Sequence, residues 1–270
     1  MLAGVLVPQL VHADMEWRVI KELELKDQPL DMVNALDGKT IFILVPGEVL
    51  IQDMRSNDIS QRIPVGKEFD KLAYSPRNNT LILTSGSTKT LKIIQLERIH
   101  QFDFSGLPYL GSKDAPVTIA VFSDYQWPAC ARLESLIHQV MNKYPEDVKF
   151  YFKNFPLNIH KYAKKASTAA LAADKQGKFE EFHNKLFENH RALNDKKFLE
   201  IAGDLGLNME AFDKDRNSAS VKNLVNRDMM DGQKIGVRST PSVFINGKLL
   251  KRRNFKNFQL KIDAELKKAP

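Results

Sequence analysis

Val117-Thr118-Ile119-Ala120-Val121-Phe122-Ser123-Asp124-Tyr125-Gln126-Trp127-Pro128-Ala129-Cys130 runs from an almost unbroken apolar strand directly into the start of a helix. Val117 to Phe122 has no polar alternation, which predicts a strand buried on both faces. From Cys130 to Lys143, apolar residues recur at Leu133, Leu136, Ile137, Val140 and Met141, the spacing of one helix face. Val148-Lys149-Phe150-Tyr151-Phe152 follows as a second strand. A strand, helix and strand of these lengths predict a right-handed crossover between parallel neighbours.

Towards the carboxyl end, Ala163 to Asp174 is alanine-rich and Gly177 supplies a stop. Phe179, Phe182, Leu186 and Phe187 share one helical face. Phe198 to Leu205 predicts a further helix, ended at Gly206, with Asn208 offering a cap for the next. Pro241 to Leu250 has the pattern of a β-hairpin turning at Asn246-Gly247, and Phe255 to Lys268 that of a closing amphipathic helix. The resulting order is β, α, β, helical insertion, β-hairpin, α, the plan of an α/β thioredoxin fold with a helical insertion.

Five stretches make that likeness specific. They are Asp114-Ala115-Pro116-Val117, Phe122-Ser123-Asp124-Tyr125, Asn154-Phe155-Pro156-Leu157 with His160, Gln176-Gly177-Lys178-Phe179, and Gly236-Val237-Arg238-Ser239-Thr240-Pro241 leading into Phe244-Ile245-Asn246-Gly247. Residues 106–270 thereby resemble the DsbA-like branch of the thioredoxin superfamily, a family of thiol–disulfide oxidoreductases. The resemblance implies a Cys-x-x-Cys at the start of the first helix. There, free N–H groups and the helix dipole stabilise a thiolate, and the second cysteine resolves the mixed disulfide. Here the four positions read Trp127-Pro128-Ala129-Cys130, and Cys130 is the only cysteine of the chain. Disulfide cycling within the chain needs two thiols and has one.

Two readings stay open at each of these positions. Trp127, with Pro128, offers an aromatic docking surface for an extended peptide or apolar ligand; equally it plugs the space left by a decayed site. Cys130 is either a buried small hydrophobe or a residual monothiol that forms mixed disulfides with a partner. Thr240-Pro241 matches the family loop that faces the active site, where the bond is cis. Such a turn leaves adjacent backbone for strand addition by a peptide; otherwise it only stabilises the fold.

Upstream, residues 14–106 read as a small all-β domain and 107–270 as the DsbA-like domain. Thr40 to Val45 and Thr80 to Thr84 are β-rich runs that follow turns at Asp37-Gly38-Lys39 and Pro76-Arg77-Asn78-Asn79. An offset of 40 relates Thr40 to Thr80 and Ile63-Pro64-Val65-Gly66 to Asp103-Phe104-Ser105-Gly106. That spacing matches two propeller-blade-like repeats, which would pack on the second domain or form a homo-oligomer; two similar β-meanders are the alternative. Residues 1–13 have the texture of a signal-peptide remnant, with an apolar Leu2 to Val11 and small residues before Asp14, so export to a periplasm-like compartment is expected.

The 270 residues are 43% hydrophobic and 27% charged, with a net charge of +7, which describes packed domains rather than a disordered chain. The densest basic stretch, Lys248 to Lys256, lacks interleaved aromatics, so no nucleic-acid partner is expected. The apolar amino-terminal run is shorter than the ~20 residues of a membrane span, no histidine spacing suits zinc, and no phosphate loop or dinucleotide fingerprint calls for a cofactor. The expected role is polypeptide binding or assembly by a redox-impaired member of the family. The alternatives are a monothiol or glutathione-linked oxidoreductase using Cys130, and a scaffold acting through the β domain.

Overall fold

The computed structural model describes residues 16–268; the signal-like segment 1–13 lies outside them. The chain divides into two compact units, Met1–Glu97 and Arg98–Pro270.

In the first unit, β1 (Asp31–Asn34), β2 (Thr40–Val45), β3 (Glu48–Asp53) and β4 (Ile59–Pro64) form an antiparallel sheet in chain order. A second sheet of β5 (Lys71–Ser75), β6 (Thr80–Ser85) and β7 (Thr90–Gln95) follows. Asp37 organises the first turn, its carboxylate accepting the Lys39 and Thr40 amides at 2.9 Å. Phe42, Leu44 and Val49 of the first sheet form one core with Leu72, Leu81 and Leu83 of the second. The 40-residue offset is realised as register: Asp31 pairs with Leu44 and Lys71 with Thr84. The second sheet stops at three strands. Ile99, which the offset aligns with the start of β4, instead bridges Lys248 within the second unit.

That second unit contains β8 (Leu110–Gly111), β9 (Val117–Ser123), α1 (Pro128–Lys143), β10 (Val148–Asn154), α2 (Ala163–Asp174), α3 (Phe179–Glu188), α4 (Asp195–Asp204), α5 (Met209–Asn217), α6 (Ala219–Lys234), β11 (Ser242–Ile245), β12 (Lys248–Leu249) and α7 (Phe255–Leu266). Its sheet has the order β12-β11-β9-β10-β8. β9 and β10 are parallel, Val117 opposite Val148, and β11 runs antiparallel to β9. The helices α2 to α6 are the insertion between β10 and β11. Asn246 and Gly247 take positive φ values of 45° and 76°, as the tight hairpin turn requires. Gly247 also lies against the His100 backbone, where a β-carbon would clash. The stretch around Phe102 and Phe104 packs on Ala120, Phe122 and Phe244, so residues 98–106 belong to this unit rather than to the β-rich one.

Candidate functional site

On the side that meets α1, β9 presents Val117, Ile119 and Val121, and it ends at Ser123, where Asp124 turns the chain. The Asp124 carboxylate is buried, at 1% exposure, and accepts three hydrogen bonds. Oδ1 takes the Gln126 amide at 2.7 Å, while Oδ2 takes the Leu157 amide at 2.7 Å and pairs with His160 Nδ1 at 2.8 Å. One side chain thereby ties the turn before α1 to the loop after β10. Gln126 adds a second tie by accepting the Tyr162 amide at 2.6 Å.

Trp127 is the N-cap of α1 in an extended conformation (φ −82°, ψ 120°), with Pro128 in the first helical turn. Proline suits that place because its missing N–H has no intrahelical partner to lose. Trp127 makes no side-chain cap; its half-buried indole lies tilted on the His160 imidazole. One turn inward, Cys130 is 1% exposed and its Sγ accepts the Asp124 amide at 3.5 Å. Burial pushes the Cys130 thiol up; the Ser123 and Thr240 hydroxyls and the Asp124 amide pull less strongly the other way.

Thr240-Pro241 is cis, and both residues are buried. The Thr240 hydroxyl comes close enough to influence Cys130, so the structure unites the first-helix motif with the distant proline loop. The Pro241 carbonyl is occupied by Arg253, at 2.7 Å. The Thr240 amide and carbonyl make no hydrogen bond among the described residues. Beside Pro128 and Ala131 a cleft of about 600 Å³ opens between α1 and the end of α3, with Glu134, His138, Phe187 and His190 on its walls.

Two polar clusters escaped the sequence reading. The Tyr125 hydroxyl and His183 Nδ1 are hydrogen-bonded at 2.8 Å, and His183 Nε2 stands 3.0 Å from Glu134. Burial holds the Tyr125 hydroxyl well above its usual range. The other cluster anchors β10 to α6: Lys153, fully buried, meets Asp228 at 2.7 Å and Asp231 at 2.8 Å. Asp228 also accepts the Asn154 amide at 2.9 Å. A lysine amid the apolar β10 run was the available signal for this pair. Among the described residues no group of three or more His, Cys, Asp or Glu side chains could hold a metal ion, and no helix is long and apolar enough to cross a membrane.

A strand, a helix N-terminus and a cis-proline loop meeting at one cysteine is the arrangement expected of the thioredoxin superfamily, and the family model described as Thioredoxin matches residues 105–264. The chain belongs to that family. It is a DsbA-like member: "Probable disulfide bond formation protein D" of Bacillus cereus is 31% identical over 179 residues, 62% of this chain and 82% of that protein. Oxidised BdbD from Bacillus subtilis superposes with a TM-score of 0.55 at 27% identity, covering 63% of this chain and 98% of that one. The "Na(+)/H(+) antiporter NhaA 1" of Mycobacterium sp. (strain KMS) is 32% identical over 141 residues, 51% of this chain. The DsbA-like chain spans only 23% of that antiporter's length.

Proposed function

We propose that this DsbA-like protein binds extended polypeptides without cycling disulfides. The observation that carries the reading is Trp127. An aromatic side chain, held on His160, stands where the resemblance expects the attacking cysteine, while the surrounding site is kept. Thr240 supports strand addition by a client, because its backbone amide and carbonyl have no partner among the described residues. The cleft beside Pro128 gives such a client room to continue along α1. Burial of Cys130 and its raised thiol pKa speak against a monothiol mechanism, since the thiolate is the reactive species. The apolar Leu2 to Val11 run supports placing this activity in the cell envelope.

The test is binding of a reduced, alkylated unfolded polypeptide, followed by calorimetry, beside an insulin-reduction assay. Saturable binding that Trp127→Ala weakens, with no turnover of insulin, is the expected result. Robust turnover by the unaltered protein, or binding indifferent to Trp127→Ala, overturns the reading.

A further inference from the structure

The two sheets of the amino-terminal unit are related in register but differ in what covers them. In the first sheet Val33 lies opposite Phe42 and Phe42 opposite Ile51, so these side chains share a face; Val49, opposite Leu44, shares it too. That face packs on Leu72, Leu81 and Leu83 of the second sheet. In the second sheet Ala73 lies opposite Ile82 and Ile82 opposite Ile93, with Leu91 opposite Thr84 beside them. An offset of 40 converts Val33 and Phe42 into Ala73 and Ile82. The β6–β7 loop, Gly86 to Lys89, is two residues longer than Pro46-Gly47, so Val49 and Ile51 become Leu91 and Ile93 at an offset of 42. The face that is covered in the first repeat recurs in the second, still apolar, but Leu91 and Ile93 are 61% and 62% exposed.

We propose that this face, Ala73, Ile82, Leu91 and Ile93, is the contact through which two copies of the chain associate, sheet against sheet. In the first repeat a face of this pattern is covered by a β-sheet, through that sheet's opposite face, Leu72, Leu81 and Leu83. Stacked repeats bury such faces against their neighbours and leave the terminal one open. The chemistry also suits a self-contact, in which one patch meets its own copy about a two-fold axis. Around the apolar stripe stand uncharged Ser75, Thr84 and Gln95, while Lys71 lies at the β5 edge, so the centre of the contact brings no like charges together. Lys92 is on the opposite face, over the Phe69 ring. The inference is independent of polypeptide binding at Trp127.

Sedimentation equilibrium of the full chain tests it. The unaltered protein is expected to show a concentration-dependent dimer, and the double variant Leu91→Lys/Ile93→Lys a monomer with unchanged circular dichroism, because both side chains are already solvent-exposed. A second measurement removes dependence on that variant. Ile93→Cys should cross-link to a second copy under diamide, whereas Lys92→Cys, exposed but on the opposite face, should not; Cys130 is buried. An unaltered protein that stays monomeric overturns the proposal. So does a dimer that survives the double variant, or one that cross-links only through Lys92→Cys; these outcomes would place the contact elsewhere.

Discussion

The indole of Trp127 lies on the imidazole of His160, with ring centroids 5.5 Å apart and planes 35° from parallel. His160 is fixed from behind by the buried Asp124 carboxylate. The aromatic surface is thus a positioned one, whose orientation derives from the His160–Asp124 hydrogen bond behind it. Because an aromatic pair contributes about 0.5–1.5 kcal/mol beyond its buried area, His160→Ala should weaken binding of an unfolded polypeptide by roughly twofold to tenfold. In a Trp17→Phe background, which leaves Trp127 as the only fluorophore of its kind, emission should move to the red. Unchanged emission and affinity would show that the indole is held by something else.

Cys130 should behave as a protected thiol. Its burial raises the thiol pKa, so alkylation by iodoacetamide at neutral pH should be much slower than for an exposed cysteine. Unfolding in guanidinium should bring it to the ordinary rate. Rapid, stoichiometric labelling of the native protein would restore the monothiol reading.

Trp127→Cys should create a redox-active pair. Position 127 caps α1, and the Cys130 amide donates to the Trp127 carbonyl at 2.9 Å, so the two side chains stand at the same helix end. Thiol titration before and after mild oxidation should show both thiols lost together, and insulin reduction should appear. A variant that keeps two free thiols under oxidant would mean that the indole has reshaped the site beyond its own volume.

Lys153→Met should destabilise the second unit by about 3–5 kcal/mol at neutral pH, the usual cost of leaving a buried charge without its partner. Burial already raises the Asp228 pKa, and Lys153 opposes that rise, so the variant should raise it further. A group whose folded pKa lies above its unfolded value stabilises below the unfolded pKa and loses that contribution as pH rises through the folded one. Urea midpoints of the variant should therefore fall less, relative to the unaltered protein, at about pH 4 than at about pH 7. An equal deficit at both would place the lesion in packing rather than charge.

The parts of the second unit that were legible in the sequence are those where apolar spacing and turn chemistry agree: β9, α1, β10, α2, α3, α4, the Asn246-Gly247 hairpin and α7. Helix α6 was not. Its buried positions, Val221, Val225, Asp228 and Gly232, include an acid and a glycine, so its inward face does not read as apolar. The acid is inward because Lys153 reaches it from a strand 75 residues earlier, a tertiary cause that no local pattern carries. Strand β8, two residues long, is likewise made by its pairing with β10. In the β-rich unit the offset of 40 was visible as residues, but the loss of a fourth strand from the second sheet was not, since it depends on where Ile99 pairs.

The site divides the same way. Trp127, Cys130 and Thr240-Pro241 could be grouped through the family resemblance; the structure puts Trp127 and Cys130 at one helix end and the Thr240 hydroxyl near Cys130. The link from Tyr125 to His183, 58 residues apart, has no sequence signature, because an aromatic turn residue and a helix histidine are ordinary core members until the fold joins them.

The extended N-cap at Trp127 also has an evolutionary side. Tryptophan and cysteine codons differ by a single base, and the side chain at a helix cap points away from the helical hydrogen bonds, so exchange there need not rebuild the helix. In the proposed reading, a single base change thus separates a binding site from one able to cycle disulfides, while Asp124, His160 and the Thr240-Pro241 loop stay in place.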